Sequence, residues 1–294
     1  MENSLERLTK QPVIGAICLI TVFCGLALGH SFVVLQHHFT GGPTALNTAI
    51  SAVIGIAGFT LVWIGLNKPE AQATVLGYIG GNLIWIGVFE WVWLSFAHWM
   101  NIEGIYDRGM LILSPELLII QATGLIMVAM LIFLGANKDT RCRMFMWFHR
   151  NLRLRPGRQT PGYKRQHARN TAIETVFLIW TIYQFAILIN DPRLIGYDSV
   201  TAMVITVGFV VWGIYLANKL FKIRGVGPTL RYAIPTGAIL WLPIEAFSRW
   251  GLYPEIWIKP VEYSGVMTVA FVVFIALVAS FYLTDRPRQV AAMP

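Results

Sequence analysis

Charge is what this chain has least of. Only 13% of its 294 residues are Asp, Glu, Lys or Arg, while 56% are hydrophobic. A soluble domain carries roughly 25% charged residues. The shortfall, with repeated apolar runs about 20 residues long, excludes an ordinary soluble fold and places the chain in a bilayer. Cysteine is scarce as well. Cys18, Cys24 and Cys142 include no CxxC pair, and two of them lie inside the first apolar run. They exclude a disulfide framework and a zinc site and read as small apolar residues. There is no GxSxG elbow, no Walker loop and no GxGxxG in a strand–helix context. Histidine pairs spaced HxxxH or HxxH are missing too, which disfavours a histidine-rich di-iron hydroxylase. The longest stretch between apolar runs, 137–170, leaves no room for a soluble catalytic domain.

What is present is a series of eight apolar segments: 12–36, 44–66, 74–99, 115–135, 171–189, 199–220, 232–250 and 263–283. In lipid each must satisfy its backbone internally, which selects helices. Thr40-Gly41-Gly42-Pro43, Asn67-Lys68-Pro69, Ser114-Pro115, Asp191-Pro192, Gly225-Val226-Gly227-Pro228 and Tyr253-Pro254 punctuate the joins. The expected fold is all-α: one polytopic transmembrane domain over 1–294, with eight helices as four hairpins. Lys and Arg set the orientation. Alternating the segments leaves only Arg108, Arg193, Arg249 and Lys259 on one side and the other 19 of 23 on the side of the N-terminus. Both termini are therefore expected in the cytoplasm, as in a multi-pass protein of the cell membrane (the bacterial inner membrane).

Residues 137–170 are the most basic stretch. Their first part, 141–155, interleaves Met144, Phe145, Met146, Trp147, Phe148, Leu152 and Leu154 with arginines. This composition predicts an interfacial amphipathic helix held on anionic lipid headgroups over 141–169. A docking surface for an acidic partner is the alternative. Nucleic acid is not expected, because no recognition fold accompanies the charge. His149 and His167 read as solvated members of this loop.

Three outgoing segments share a pattern: Trp85-Ile-Gly-Val-Phe-Glu90, Trp180-Thr-Ile-Tyr-Gln184 and Trp241-Leu-Pro-Ile-Glu245. Four residues separate Trp from the polar side chain in the first, three in the others. The pattern is either an internal repeat or a chance likeness among Trp-rich helices.

A charge at bilayer depth costs at least ~2.5–3.5 kcal/mol and usually marks function. His30, Glu90, Glu245 and Arg249 are such groups, with His37, His38 and His98 at the boundary. Glu90 precedes His98 by eight residues, or ~12 Å along a helix. Offsets of seven and eight keep one face, so His30 with His37 and His38 forms one stripe and Glu90 with His98 another. Glu245 and Arg249, four apart, are placed to pair. Trp91, Trp93 and Trp99 read as an interfacial aromatic belt.

The functional expectation is an outer polar pocket lined by His30, Glu90, His98 and Glu245, with Glu103, Asp107 and Glu255 at its mouth. In the leading reading the chain is a redox or metal-handling membrane subunit, or a small enzyme. Glu90 and Glu245 would then be its catalytic or proton-carrying groups. His30, His98 and Glu90 would ligate a transition metal such as copper or iron, or the two histidines a b-type haem. The first alternative is a secondary transporter of a small solute or ion using Glu90 and Glu245, with Gly80-Gly81, Pro235, Gly237 and Pro243 loosening its helices. The second is a non-catalytic subunit packed against other membrane subunits.

Overall fold

The computed structural model describes residues 10–107, 109–137, 139, 146, 149–150, 153, 157–162 and 164–284. Helix α1 (Val13–Thr40) turns at Gly41 and Gly42, both at positive φ, into α2 (Ala45–Gly65). Thr44 caps α2 by accepting from the Asn47 amide. Helix α3 (Glu70–Ile84) runs into a π-helical turn at Trp85–Glu90 and continues as α4 (Trp91–Trp99). Strands β1 (Ile105–Asp107) and β2 (Met110–Leu113) then pair antiparallel. This small hairpin, in place of a loop, was not expected. Helices α5 (Pro115–Ala122) and α6 (Gly124–Ala136) follow, then α7 (His167–Asn190), α8 (Val200–Leu220), α9 (Val226–Arg249) and α10 (Ser264–Thr284).

Among the described residues, six helices are long and apolar enough to cross a membrane. The pair α5–α6, bent by 44° at Thr123, makes seven if it is a single span. The remaining expected segment, α9, is long enough at 24 residues but is the least apolar of the long helices. It carries Arg231, Glu245 and Arg249, and Pro235 and Pro243 interrupt its backbone hydrogen bonds. Several helices begin before their apolar runs: α3 at Glu70, α7 at His167 and α9 at Val226. The amphipathic helix expected over 141–155 and the basic residues Arg7, Arg108, Arg286 and Arg288 lie outside the described residues, apart from Met146, Arg150 and Arg153 of the loop. His149 is buried rather than solvated, and His167 opens α7.

Of the four expected hairpins, only the second packs its arms closely, α4 against α5. Helices α1, α3, α7 and α9 form the centre: α3 lies on α7, α9 touches α1, α3 and α7, and α1 packs along α9. Each returning helix then packs on the next hairpin's outgoing helix. Helix α2 covers α3, α5 and α6 cover α7, α8 covers α9, and α10 closes the cycle on α1. The central helices can approach closely because their contact residues are small. A Cβ on Gly77 would lie 2.3 Å from the Ala168 carbonyl oxygen, so α3 and α7 meet backbone to backbone there. At that end Arg231 of α9 is ion-paired with Glu70 of α3 and donates to Thr74 Oγ1 at 2.6 Å. The other end of the bundle carries the β-hairpin and the loop 251–263.

Candidate functional site

The site begins with the π turn. In an α-helix, residues four apart share a face, and the Trp241 indole N–H donates to Glu245 Oε1 at 2.6 Å on that spacing. Glu90 is five residues from Trp85, which would point it elsewhere in an α-helix. The i→i+5 bonding of Trp85–Glu90 takes up the extra residue. The Trp85 indole then donates to Glu90 Oε1 at 2.9 Å. Two different spacings thus deliver the same contact. Gly87 lets the turn press on α2, since a Cβ there would sit 2.4 Å from the Gly55 nitrogen.

Tyr183 of α7 completes the first carboxylate's shell. Its hydroxyl donates to Glu90 Oε1 at 3.1 Å, and its ring stacks on Trp85 with centroids 5.5 Å apart. The other oxygen, Oε2, is buried and accepts no hydrogen bond. On the facing wall, His30 of α1 lies parallel to Trp241 with ring centroids 5.9 Å apart. Its Nε2 is 3.5 Å from Glu245 Oε1. The His30 and Tyr183 rings, 6.0 Å apart, join the two walls. These groups line a cavity of about 50 Å³ between α1, the π turn, α7 and α9. A water needs roughly 10–15 Å³ of such space, so a few waters or one small ion fill it. Gly25 and Gly29 line the α1 side, and among the described residues no Lys or Arg lines the cavity.

The loop after α9 packs over this region. Trp257 is buried with its ring centroid 4.7 Å from that of Trp241, and Ser31 Oγ donates to its carbonyl at 2.9 Å. Burial holds the Glu255 carboxyl above the usual carboxylate range. Arg249 opposes that shift, the Glu245 charge adds to it, and His30 opposes it.

His30, Glu90 and Glu245 therefore line one cavity, and His98 does not. His98 is exposed and lines a separate open groove of about 440 Å³ with His37, Asn101, Glu103 and Glu116. Glu90 closes the π turn and His98 lies in the regular helix after it, where an offset of eight residues turns roughly 80° about the axis, so the two do not share a face. His37 and His38 do not join His30 at the cavity: His37 lines that groove and His38 is exposed. Glu245 and Arg249 do not form the expected pair. The Arg249 guanidinium donates to the Ile112 carbonyl of β2 at 3.1 Å. Of the three belt tryptophans, Trp99 is exposed, whereas Trp93 is buried among Trp85, Phe89 and Trp180. Sequence reasoning missed Tyr183, although it sits inside the quoted Trp180–Gln184 stretch.

That third Trp–polar pair serves the break between α5 and α6. The Trp180 indole donates to Thr123 Oγ1 at 3.1 Å, and Gln184 Nε2 donates to the Ile120 carbonyl at 2.5 Å. Side chains of α7 thereby brace the bend, Gln184 adding a donor to a carbonyl that also accepts from the Thr123 amide and hydroxyl. Just beyond, Asp191 is fully enclosed and accepts from Arg193 and from Gln121 Nε2 at 3.0 Å. Hydrogen bonds from Arg193 hold its carboxyl down at about 2.

Among the described residues, no three His, Cys, Asp or Glu side chains converge in a way that could hold a metal ion. A bis-histidine haem would need His98 beside His30. No protein-family model, curated protein or solved structure matches this chain.

Proposed function

We propose that the chain is a secondary transporter of a small solute or ion, working through the cavity between α1, the π turn, α7 and α9. One observation carries this reading: two carboxylates from different helices, Glu90 and Glu245, line a single small cavity with an imidazole beside Glu245, and Glu90 Oε2 finds no donor among the described residues. A buried acceptor without a partner costs free energy, and a proton or a cation removes that cost. Trp85 and Tyr183 hold Glu90, and Trp241 and His30 hold Glu245, so both acids are positioned before cargo arrives. The π turn and the prolines of α9 are helix interruptions of the kind transporters place beside their sites. A metal or haem centre is less well supported, because His98 lines the groove outside the cavity.

In this reading the broken pair α5–α6 is one span and α9 is the eighth. Its charged and polar groups are accommodated because α1, α3, α7 and α8 surround it. The charge asymmetry supports a reading with both termini in the cytoplasm and the cavity in the outer half of the bilayer.

The test is proton flux into vesicles containing the full chain and an entrapped pH-sensitive dye. Flux driven by a membrane potential is expected for the native chain and should fall at least tenfold in Glu90→Gln. Flux no greater than that of empty vesicles, or unchanged in Glu90→Gln and Glu245→Gln, would overturn the reading.

A further inference from the structure

We propose that the cavity binds a small primary ammonium ion of about methylammonium size, held between Glu90 and Glu245; this rests on the transporter reading. The lining contains two acids and no Lys or Arg, which favours positive charge and opposes anions. An ammonium group offers three N–H donors. The unfilled acceptors match it: Glu90 Oε2, which has no donor, and the Glu245 carboxylate, whose Oε1 already takes the Trp241 indole. Both carboxylates are anchored through one oxygen by an indole, an arrangement reached by two different helix geometries. Trp85 and Trp241 are therefore positioning residues that orient the acids. The rings of Trp85, Tyr183 and Trp241 line the space and supply an apolar wall for a methyl group. A space of about 50 Å³ admits only a few non-hydrogen atoms. A quaternary ammonium has no N–H to offer and is larger.

Thermal unfolding of the purified full chain in detergent, followed with methylammonium chloride, tests this. A ligand that binds only the folded state raises the melting temperature in a concentration-dependent way. The expected result is a saturable rise with methylammonium chloride that potassium chloride and tetramethylammonium chloride do not reproduce. Glu245→Gln should raise the half-saturating concentration at least tenfold. Trp241→Phe, which keeps the ring and removes only the indole donor, should raise it several-fold, and it serves if Glu245→Gln does not fold. Equal rises with potassium or tetramethylammonium, or half-saturation unchanged in both variants, would overturn the assignment. Glu90-dependent proton flux without any methylammonium effect would sink the cargo and leave the transporter reading standing. Absence of both would sink both.

Discussion

The Trp85 indole and the Glu90 carboxylate meet at 2.9 Å across five residues, a contact that a regular α-helix does not make and the π turn does. Removing the donor is therefore informative. Trp85→Phe keeps the aromatic stack and deletes one of the two hydrogen bonds to Glu90. A bond to a charged group contributes about 1.5–3 kcal/mol, so the variant should be destabilised by that order in a reversible unfolding titration. The parallel change Trp241→Phe should cost a similar amount, because the two contacts are equivalent.

His30 is held by stacking on Trp241 and by its approach to Glu245, with no backbone constraint special to it. His30→Phe should preserve the stack and the fold. Proton flux in vesicles should nevertheless fall at least tenfold, because the imidazole that lines the cavity is gone.

The seam between α3 and α7 should tolerate no added atoms at Gly77. A Cβ 2.3 Å from the Ala168 oxygen forces the two backbones apart, and overpacking of this kind costs about 1–3 kcal/mol. Gly77→Ala is expected to lower the unfolding temperature. The same change at Gly208, where a Cβ meets nothing within 4 Å, should leave it unaltered.

Asp191 gives a prediction in pH. Its carboxyl is depressed in the folded chain to about 2 from an ordinary 3.8. A depressed acid contributes stability that is fully present above the ordinary value and lost as pH falls through the folded one. Acid unfolding should therefore include a step across that interval. Asp191→Asn should abolish the step and lower stability at neutral pH by about 1–3 kcal/mol, the cost of disrupting a buried hydrogen-bonded group.

The break at Thr123 can be probed through its supports. Gln184→Leu leaves the Ile120 carbonyl without its α7 donor. Amide exchange over Ile120–Met127 should become faster than in the native chain, with little change in α1.

Much of the membrane architecture was legible because it follows from simple quantities: segment length, sparse charge and the placement of breakers. That Glu90, Glu245 and His30 stand apart was legible for the same reason, since polar groups stand out against an apolar background, and the three do line one cavity. The position of His98 was not. An offset of eight residues reads as one face, but at 3.6 residues per turn it rotates roughly 80°, which sets His98 apart from Glu90. The π turn was hidden as well, and its clue was the unequal Trp–Glu spacings of 85–90 and 241–245, which look like a flawed repeat until the turn geometry is known. Arg249 escaped for another reason: its partner is a backbone carbonyl of a strand 137 residues away, and side-chain spacing carries no trace of such a contact. The partner exchange among the hairpins was equally hidden, because an apolar helix face does not specify which neighbour will cover it.

That exchange has a consequence for how the chain is made. Helix α10 rests on α1, made long before it, whereas α2, α6 and α8 rest on outgoing helices made after them. The consecutive pairs α2–α3 and α8–α9 can therefore associate as they are made. Helix α1 must instead wait for α9 and α10 to obtain its cover, and the cycle closes only when α10 is in place.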